Sequence, residues 1–211
     1  MVRFLFLRHG YSVTNKSQTF TGQLDAPLDA TGFAQAERAA EYIATHYHID
    51  AIYSSDLCRA MDTARPLAER LGLAIREDTG FREIDVGEWT GVPYEEIHPT
   101  EDYKRLEAES WQVPYSKTGE SMQQVAVRAT AALSRIAEAH EGETVLIALH
   151  GGTLKALLYA WQGAKGPLES IPVVPNASVT VVEYADGQAT VTLLGEAEYL
   201  QDLKTDYFAA H

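Results

Sequence analysis

Short apolar runs that hand over to helix-like stretches, and a strand pair near the C-terminal end, predict an α/β fold. The expected architecture is a three-layer α/β/α sandwich, with a mostly parallel central sheet and an antiparallel C-terminal hairpin. The first run, Val2-Arg3-Phe4-Leu5-Phe6-Leu7, is nearly continuous in apolar residues, the pattern of a strand buried on both faces. An alanine-rich amphipathic helix follows over 31–43. A second strand reads at 50–55 and runs into a helix over 56–64, with Ser55 or Asp56 as the expected N-cap and Arg59 in the first turn. Residues 121–140 form another helical pattern, with Val125, Val127, Leu133 and Ile136 among its apolar positions. The third strand, Thr144-Val145-Leu146-Ile147-Ala148-Leu149, leads into a helix over 153–158. Residues 179–184 and 188–194 flank an Asp186-Gly187 turn and read as a hairpin. No repeat, low-complexity tract or linker breaks this order, so one domain over 1–211 is expected. The Pro-, Glu- and Trp-containing stretch 93–118 interrupts the core pattern and is the expected lid.

Composition narrows the setting. A chain of 211 residues, 45% hydrophobic, can bury one substantial core without staples. A single cysteine, Cys58, leaves no intramolecular disulfide framework and fits a reducing compartment. The N-terminal apolar run is too short for a secretory signal and no run approaches a membrane span, so a cytoplasmic protein is expected. A net charge of −13 argues against a nucleic-acid or anionic-membrane partner, since the long-range field repels both.

The chemistry lies at the strand ends. Arg8-His9-Gly10 closes the first strand, and His150-Gly151-Gly152 closes the third. In an open parallel sheet, ligands bind at the carboxyl ends of strands. Arg59 adds a guanidinium at a helix N-terminus, where backbone N–H groups and the dipole already favour an anion. Arginine forks grip phosphate oxygens and a neutral imidazole is a competent nucleophile. One sheet edge thus collects Arg8, His9, Arg59 and His150, a combination that points to a histidine taking up a phosphoryl group. The site would be a local positive pocket on an acidic body.

These residues resemble the histidine phosphatase superfamily, which includes the cofactor-dependent phosphoglycerate mutases. The resemblance spans nearly the whole chain: Arg8-His9-Gly10 with Ser12 and Asn15, the loop Gly22-Gln23-Leu24-Asp25-Ala26-Pro27-Leu28, and the second-arginine motif from Ser54 to Ala64. Phe81-Arg82-Glu83-Ile84, Gly119-Glu120-Ser121, His150-Gly151-Gly152 and Asn176-Ala177-Ser178-Val179 complete it. It implies that His9 attacks phosphorus and carries the phosphoryl group, which requires a neutral ring, and flanking guanidiniums favour that state. It implies that Arg8 and Arg59 clamp the phosphate, that His150 donates to the same oxygens, and that Gly151 belongs to the substrate-binding set. Asn15 and Gln23 would complete the cradle as uncharged donors. Glu83 would protonate the leaving alkoxide. A carboxylic acid that keeps its proton for this task is expected to be partly buried and away from the arginines. With that much charge and hydrogen bonding supplied by side chains, neither a metal nor a cofactor is expected, and the partner is a small phosphorylated substrate.

Other residues read more plainly. His46 and His48 alternate, but at the end of a helical stretch they are expected as helix-end or solvent-exposed residues. His98, His140 and His211 have no partner at metal-ligand spacing. Cys58 is expected to pack rather than react. Trp89, Trp111 and Tyr115 are expected to pack the lid on the core or to line the substrate mouth. The interval from Glu83 to His150 is short and poor in basic residues (Lys104, Arg105, Lys117, Arg128, Arg135), and the residues after Glu83 lack the mutases' Gly-Leu-Asn-Lys-like continuation. Both features favour a phosphatase of small phosphomonoesters through a phosphohistidine. A mutase, and an interaction module of the same fold with weak chemistry, are the alternatives. Acidic Glu95, Glu96, Glu101, Asp102, Glu107 and Glu109 are expected as a solvated lid face, or as a charge opposing anionic substrates if they face the mouth. A monomer and a homodimer both fit.

Overall fold

In the computed structural model, which describes residues 1–205, six strands form one sheet in the order β3-β2-β4-β1-β5-β6. His211 lies outside the described residues. The strands are β1 (Val2–Arg8), β2 (Ala51–Ser54), β3 (Ile75–Glu77), β4 (Thr144–Leu149), β5 (Val179–Ala185) and β6 (Gln188–Glu196). β1 pairs with β4, β4 with β2 and β2 with β3 in parallel, while β5 runs antiparallel to both β1 and β6.

The apolar run of β1 is doubly buried because alternate side chains enter two separate cores. Phe4 and Phe6 pack with Val145, Ile147, Leu149 and helices α5 (Met122–Ala139) and α6 (Gly151–Trp161). Leu5 and Leu7 pack on the other face with Leu146, Ala148 and helices α1 (Ala30–His46) and α2 (Cys58–Leu71). Helices therefore cover both faces of the sheet, the three-layer arrangement its apolar pattern predicts.

Helix ends follow the capping chemistry in most places. Asp29 accepts from the Gly32 amide at the start of α1, and Ser121 and Gln124 form a reciprocal capping box on α5. α2 ends at Gly72, whose φ of 67° is the left-handed turn that glycine adopts without strain. Its other end departs from expectation. Leu57, not Ser55 or Asp56, occupies the cap position, and the Cys58 amide donates to Asp25 Oδ1 at 2.8 Å. The cap comes from a distant loop because Asp56 is held by Arg82 and Ser55 faces His150. Val127 is a second correction: it is 66% exposed, since it sits two residues, about 200° of helical rotation, from buried Val125.

Residues 93–118 contain two short helices, α3 (Tyr94–Ile97) and α4 (Glu101–Ala108). They are tied down at one end, where Phe20 donates to the Val92 carbonyl and Tyr94 to the Gln18 carbonyl, both at 3.0 Å. No helix among the described residues is long and apolar enough to cross a membrane.

Candidate active site

Sheet register decides which side chains meet. Arg8 lies opposite Leu149 in the parallel β1–β4 pair, so His9 and His150 leave neighbouring strands one step later. Their ring centroids are 5.1 Å apart. Ser54 lies opposite Ala148, and the next residue, Ser55, places its Oγ 2.9 Å from His150 Nε2. β5 enters beside the end of β1, with Val179 opposite Leu7, which brings Asn176 and Ala177 against His9.

His9 is buried and held from several directions. Its amide donates to the Leu149 carbonyl at 2.9 Å, and its carbonyl accepts from the Ala177 amide at 3.1 Å and Asn176 Nδ2 at 3.0 Å. Nδ1 of the ring lies 2.7 Å from the Gly10 carbonyl, which can only accept, so Nδ1 carries the hydrogen and Nε2 keeps the lone pair. The Gly10 amide donates to Thr63 Oγ1, which donates in turn to the Arg59 carbonyl one turn earlier in α2. Burial holds the His9 pKa well below the ordinary imidazole value, and the charges of Arg59 and Arg8 push the same way. His150 is likewise depressed, by burial first and then by Arg59.

Both arginines are almost fully enclosed, at 3% exposure for Arg8 and 1% for Arg59. Arg8 donates to the Val174 carbonyl, and Arg59 donates to the carbonyls of Leu24 and Gly22 at 2.7 and 3.0 Å. Burial lowers the Arg59 pKa, against an opposing pull from the charge of Glu83. These bonds leave the guanidiniums oriented without neutralising their charge, the arrangement an anion site needs.

Glu83 lines, with both arginines, a cavity of about 660 Å³. Its carboxyl group accepts from the amides of Ile84, Gly152 and Thr153 at 2.9–3.1 Å, over the N-terminus of α6. The two glycines of His150-Gly151-Gly152 have a steric reason. A Cβ on Gly152 would lie 2.5 Å from Glu83 Oε1, and one on Gly151 would lie 3.2 Å from the Arg8 guanidinium. Arg128 braces the same loop, donating to the carbonyls of Gly80 and Glu83 while paired with Glu120 at 2.8 Å.

The sequence-predicted residues do not all converge. Arg8, His9, Arg59, Glu83 and Asn15 line the cavity. His150 is fully buried behind His9, and its Nδ1 has no hydrogen-bond partner among the described residues. Gly151 packs under Arg8 instead of lining the cavity. Asn15 turns its carboxamide oxygen back to the Ser12 amide and hydroxyl. Gln23 is outside the lining; its Nε2 donates to the Glu83 carbonyl at 3.0 Å, so it props the loop that carries Glu83. Glu83 itself is half-buried but lies within electrostatic reach of Arg59, not away from the arginines.

Tyr115 lines the cavity, whereas Trp89 packs on Phe20 and Trp111 on Tyr159. Of the acidic lid residues, Glu95 reaches the lining; the other five are exposed elsewhere. His46 closes α1 against the Tyr42 carbonyl, His48 is exposed beside Asp50, and His140 is buried between Glu143 and Tyr53. The Cys58 thiol is half-buried and its pKa is pushed up to about 11, chiefly by burial and then by Asp25, so it is not the reactive thiolate. Sequence reasoning offers Ser55 only as an N-cap, places Thr63 and Asn176 in motifs without assigning them a site role, and sets His98 aside. Thr63 had a signal, since it lies one turn from Arg59 on the same helix face. His98 had none, because only the folding of 93–118 brings it to the cavity.

Two buried imidazoles, one with its nucleophilic nitrogen fixed, and two enclosed guanidiniums on an α/β sheet edge define a phosphoryl-binding enzyme. Residues 4–197 match the family profile of the histidine phosphatase superfamily (branch 1), and the chain belongs to that superfamily. It is 33% identical to the phosphoglycerate mutase-like protein 4 of Arabidopsis thaliana, over 93% of this chain and 86% of that protein. The solved structure of Bacillus stearothermophilus YhfR superposes with a TM-score of 0.86 at 30% identity, covering 95% of this chain and 100% of that one. A mycobacterial glucosyl-3-phosphoglycerate phosphatase, solved with VO3, superposes at 0.82 with 31% identity over 92% of this chain and 99% of its own. Fold, site and relatives together define a phosphatase of small phosphorylated metabolites.

Proposed function

We propose that this phosphatase hydrolyses its esters through a phosphohistidine on His9. The observation that carries this reading is the His9 ring: Nδ1 is fixed on the Gly10 carbonyl, Nε2 keeps its lone pair, and Arg59 and Arg8 help hold it neutral. Nε2 attacks phosphorus as the bond to the ester oxygen breaks. Arg8 and Arg59 take the charge on the non-bridging oxygens, positioned in advance by their carbonyl partners. His150, its Nε2 against Ser55, supplies its otherwise unpartnered Nδ1 to an oxygen of the group on His9. Glu83 protonates the departing alkoxide, then takes a proton from the water that cleaves the N–P bond. Asn15 contacts the ester from the cavity wall. Gln23, Gly151, Thr63 and Asn176 act as positioning residues.

The same reading makes residues 93–118 a lid within one domain, and the enzyme cytoplasmic and metal-independent. A mutase is the weaker alternative, because the described cavity lining offers only two guanidiniums, too few for a bisphosphorylated carboxylate. The test is phosphate release from a panel of small monoesters with chelator present, alongside isomer formation after priming with 2,3-bisphosphoglycerate. Release without isomerisation and without loss to chelator is expected. Rapid isomerisation with little release would make it a mutase, and a chelator-sensitive rate would overturn the metal-free scheme.

A further inference from the structure

Resting on that reading, we propose that the cavity selects monoesters of uncharged alcohols with an aromatic or apolar body, and disfavours substrates that carry a second anion. A cavity of about 660 Å³ is far larger than a phosphoryl group, which leaves room for a sizeable leaving group. Among the described residues, Arg8 and Arg59 are the only lysines or arginines in the lining, and both lie at the phosphate end. Cations of the neighbouring elements are held elsewhere: Lys104 pairs with Glu101 at 2.6 Å, Arg105 with Asp102 at 3.8 Å and Lys16 with Asp29 at 3.0 Å.

The wall facing the leaving group is built of rings. Phe20 meets Tyr94 edge-on at 4.6 Å, and His98 lies between Tyr94 at 5.6 Å and Tyr103 at 4.4 Å. Leu106 and Tyr115 continue the same surface. Such a wall offers ring stacking and apolar burial; its tyrosine hydroxyls and the neutral donors Ser12, Thr14, Asn15, Gln18 and Thr21 elsewhere in the lining can meet an oxygen, but none brings the fixed charge of a lysine or arginine to a carboxylate. Glu95, with Glu83 one of the two carboxylates of the lining, adds a repulsive charge. A second anion would therefore exchange its water for neutral donors without gaining a cation, which weakens its binding relative to an uncharged body.

The test is kcat/KM for benzyl phosphate, glycerol 1-phosphate and 3-phosphoglycerate, all with alkoxide leaving groups. It is run at pH 8, above the range in which an imidazole ordinarily carries a proton. Benzyl phosphate is expected to exceed 3-phosphoglycerate by about tenfold or more, with glycerol 1-phosphate between them. Glu95→Lys, at an exposed position, is expected to raise 3-phosphoglycerate at least about threefold relative to benzyl phosphate, an effect that added salt weakens. Equal or better turnover of 3-phosphoglycerate by the unmodified enzyme would overturn this selectivity and leave the phosphatase in place. Phosphate release from none of the three would instead overturn the phosphatase reading itself.

Discussion

The floor of the cavity and its wall are built by opposite means. On the floor, His9, Arg8, Arg59 and Glu83 are each fixed by backbone groups: carbonyls of Gly10, Val174, Leu24 and Gly22, and amides of Ile84, Gly152 and Thr153. The Gly10 carbonyl follows β1 and the Gly152 and Thr153 amides open α6, whereas Gly22, Leu24, Ile84 and Val174 lie in the loops around them, so main chain rather than side-chain packing orients the floor. On the wall, Phe20, Tyr94, His98 and Tyr103 are held largely by one another. Ring-to-ring packing can be altered one side chain at a time without disturbing the sheet. On the proposed scheme the difference separates two jobs: the floor sets the reaction and the wall sets what is attached to the phosphate.

Substitutions on the floor should break the reaction for every ester alike. His9→Ala is expected to lower kcat by about 10⁴-fold or more on all substrates; comparable loss on some esters and not others would show that the nucleophile lies elsewhere. Glu83→Gln sharpens the division further. With an activated aryl phosphate, whose leaving group needs no proton, the expected loss is under about tenfold. With an alkyl phosphate it is about 10² or more. Equal losses on both would remove Glu83 as the acid.

Gly152→Ala is a milder probe of the same carboxyl group. A Cβ there would come within 2.5 Å of Glu83 Oε1, the movable end of a side chain. The expected outcome is a loss of about three- to tenfold on alkyl phosphates with little change in Tm, and an unchanged rate would mean that the observed Glu83 position is not the working one. The smallest effect concerns pH. His9 and His150 are buried with folded-state pKa values well below the ordinary value of about 6.5. As pH falls below that value the unfolded chain binds protons that the folded chain refuses. The stability these neutral rings allow is complete above about pH 6.5 and is lost progressively on acidification. His150→Gln should flatten the fall in Tm below pH 6.5, whereas an unaltered slope would mean that His150 is protonated in the folded state.

The floor was also the part most legible in the sequence. A doubly buried strand announces itself as a continuous apolar run, and a residue just past its end is placed by the sheet. Arg8, His9 and His150 could thus be located without coordinates. Arg59 followed from its place in the first helical turn. What stayed hidden depends on distant segments crossing. Gln23 finds the backbone of Glu83, sixty residues on, and Asp25 caps α2 in place of Ser55. No local pattern encodes either contact. Glu83 was identified by motif, but its approach to Arg59 was not foreseen, because a loop residue's direction is set by what it packs on. The wall was the least legible, since only the folding of residues 93–118 over Phe20 turns His98 and Tyr103 into a surface.

The phosphohistidine is most directly tested by quenching turnover in alkali, where N–P bonds survive, and mapping the phosphoryl group by peptide mass spectrometry. One phosphoryl group on His9 is expected during turnover, and none in His9→Ala. Steady turnover with His9 unmodified, or the group on another residue, would contradict the scheme.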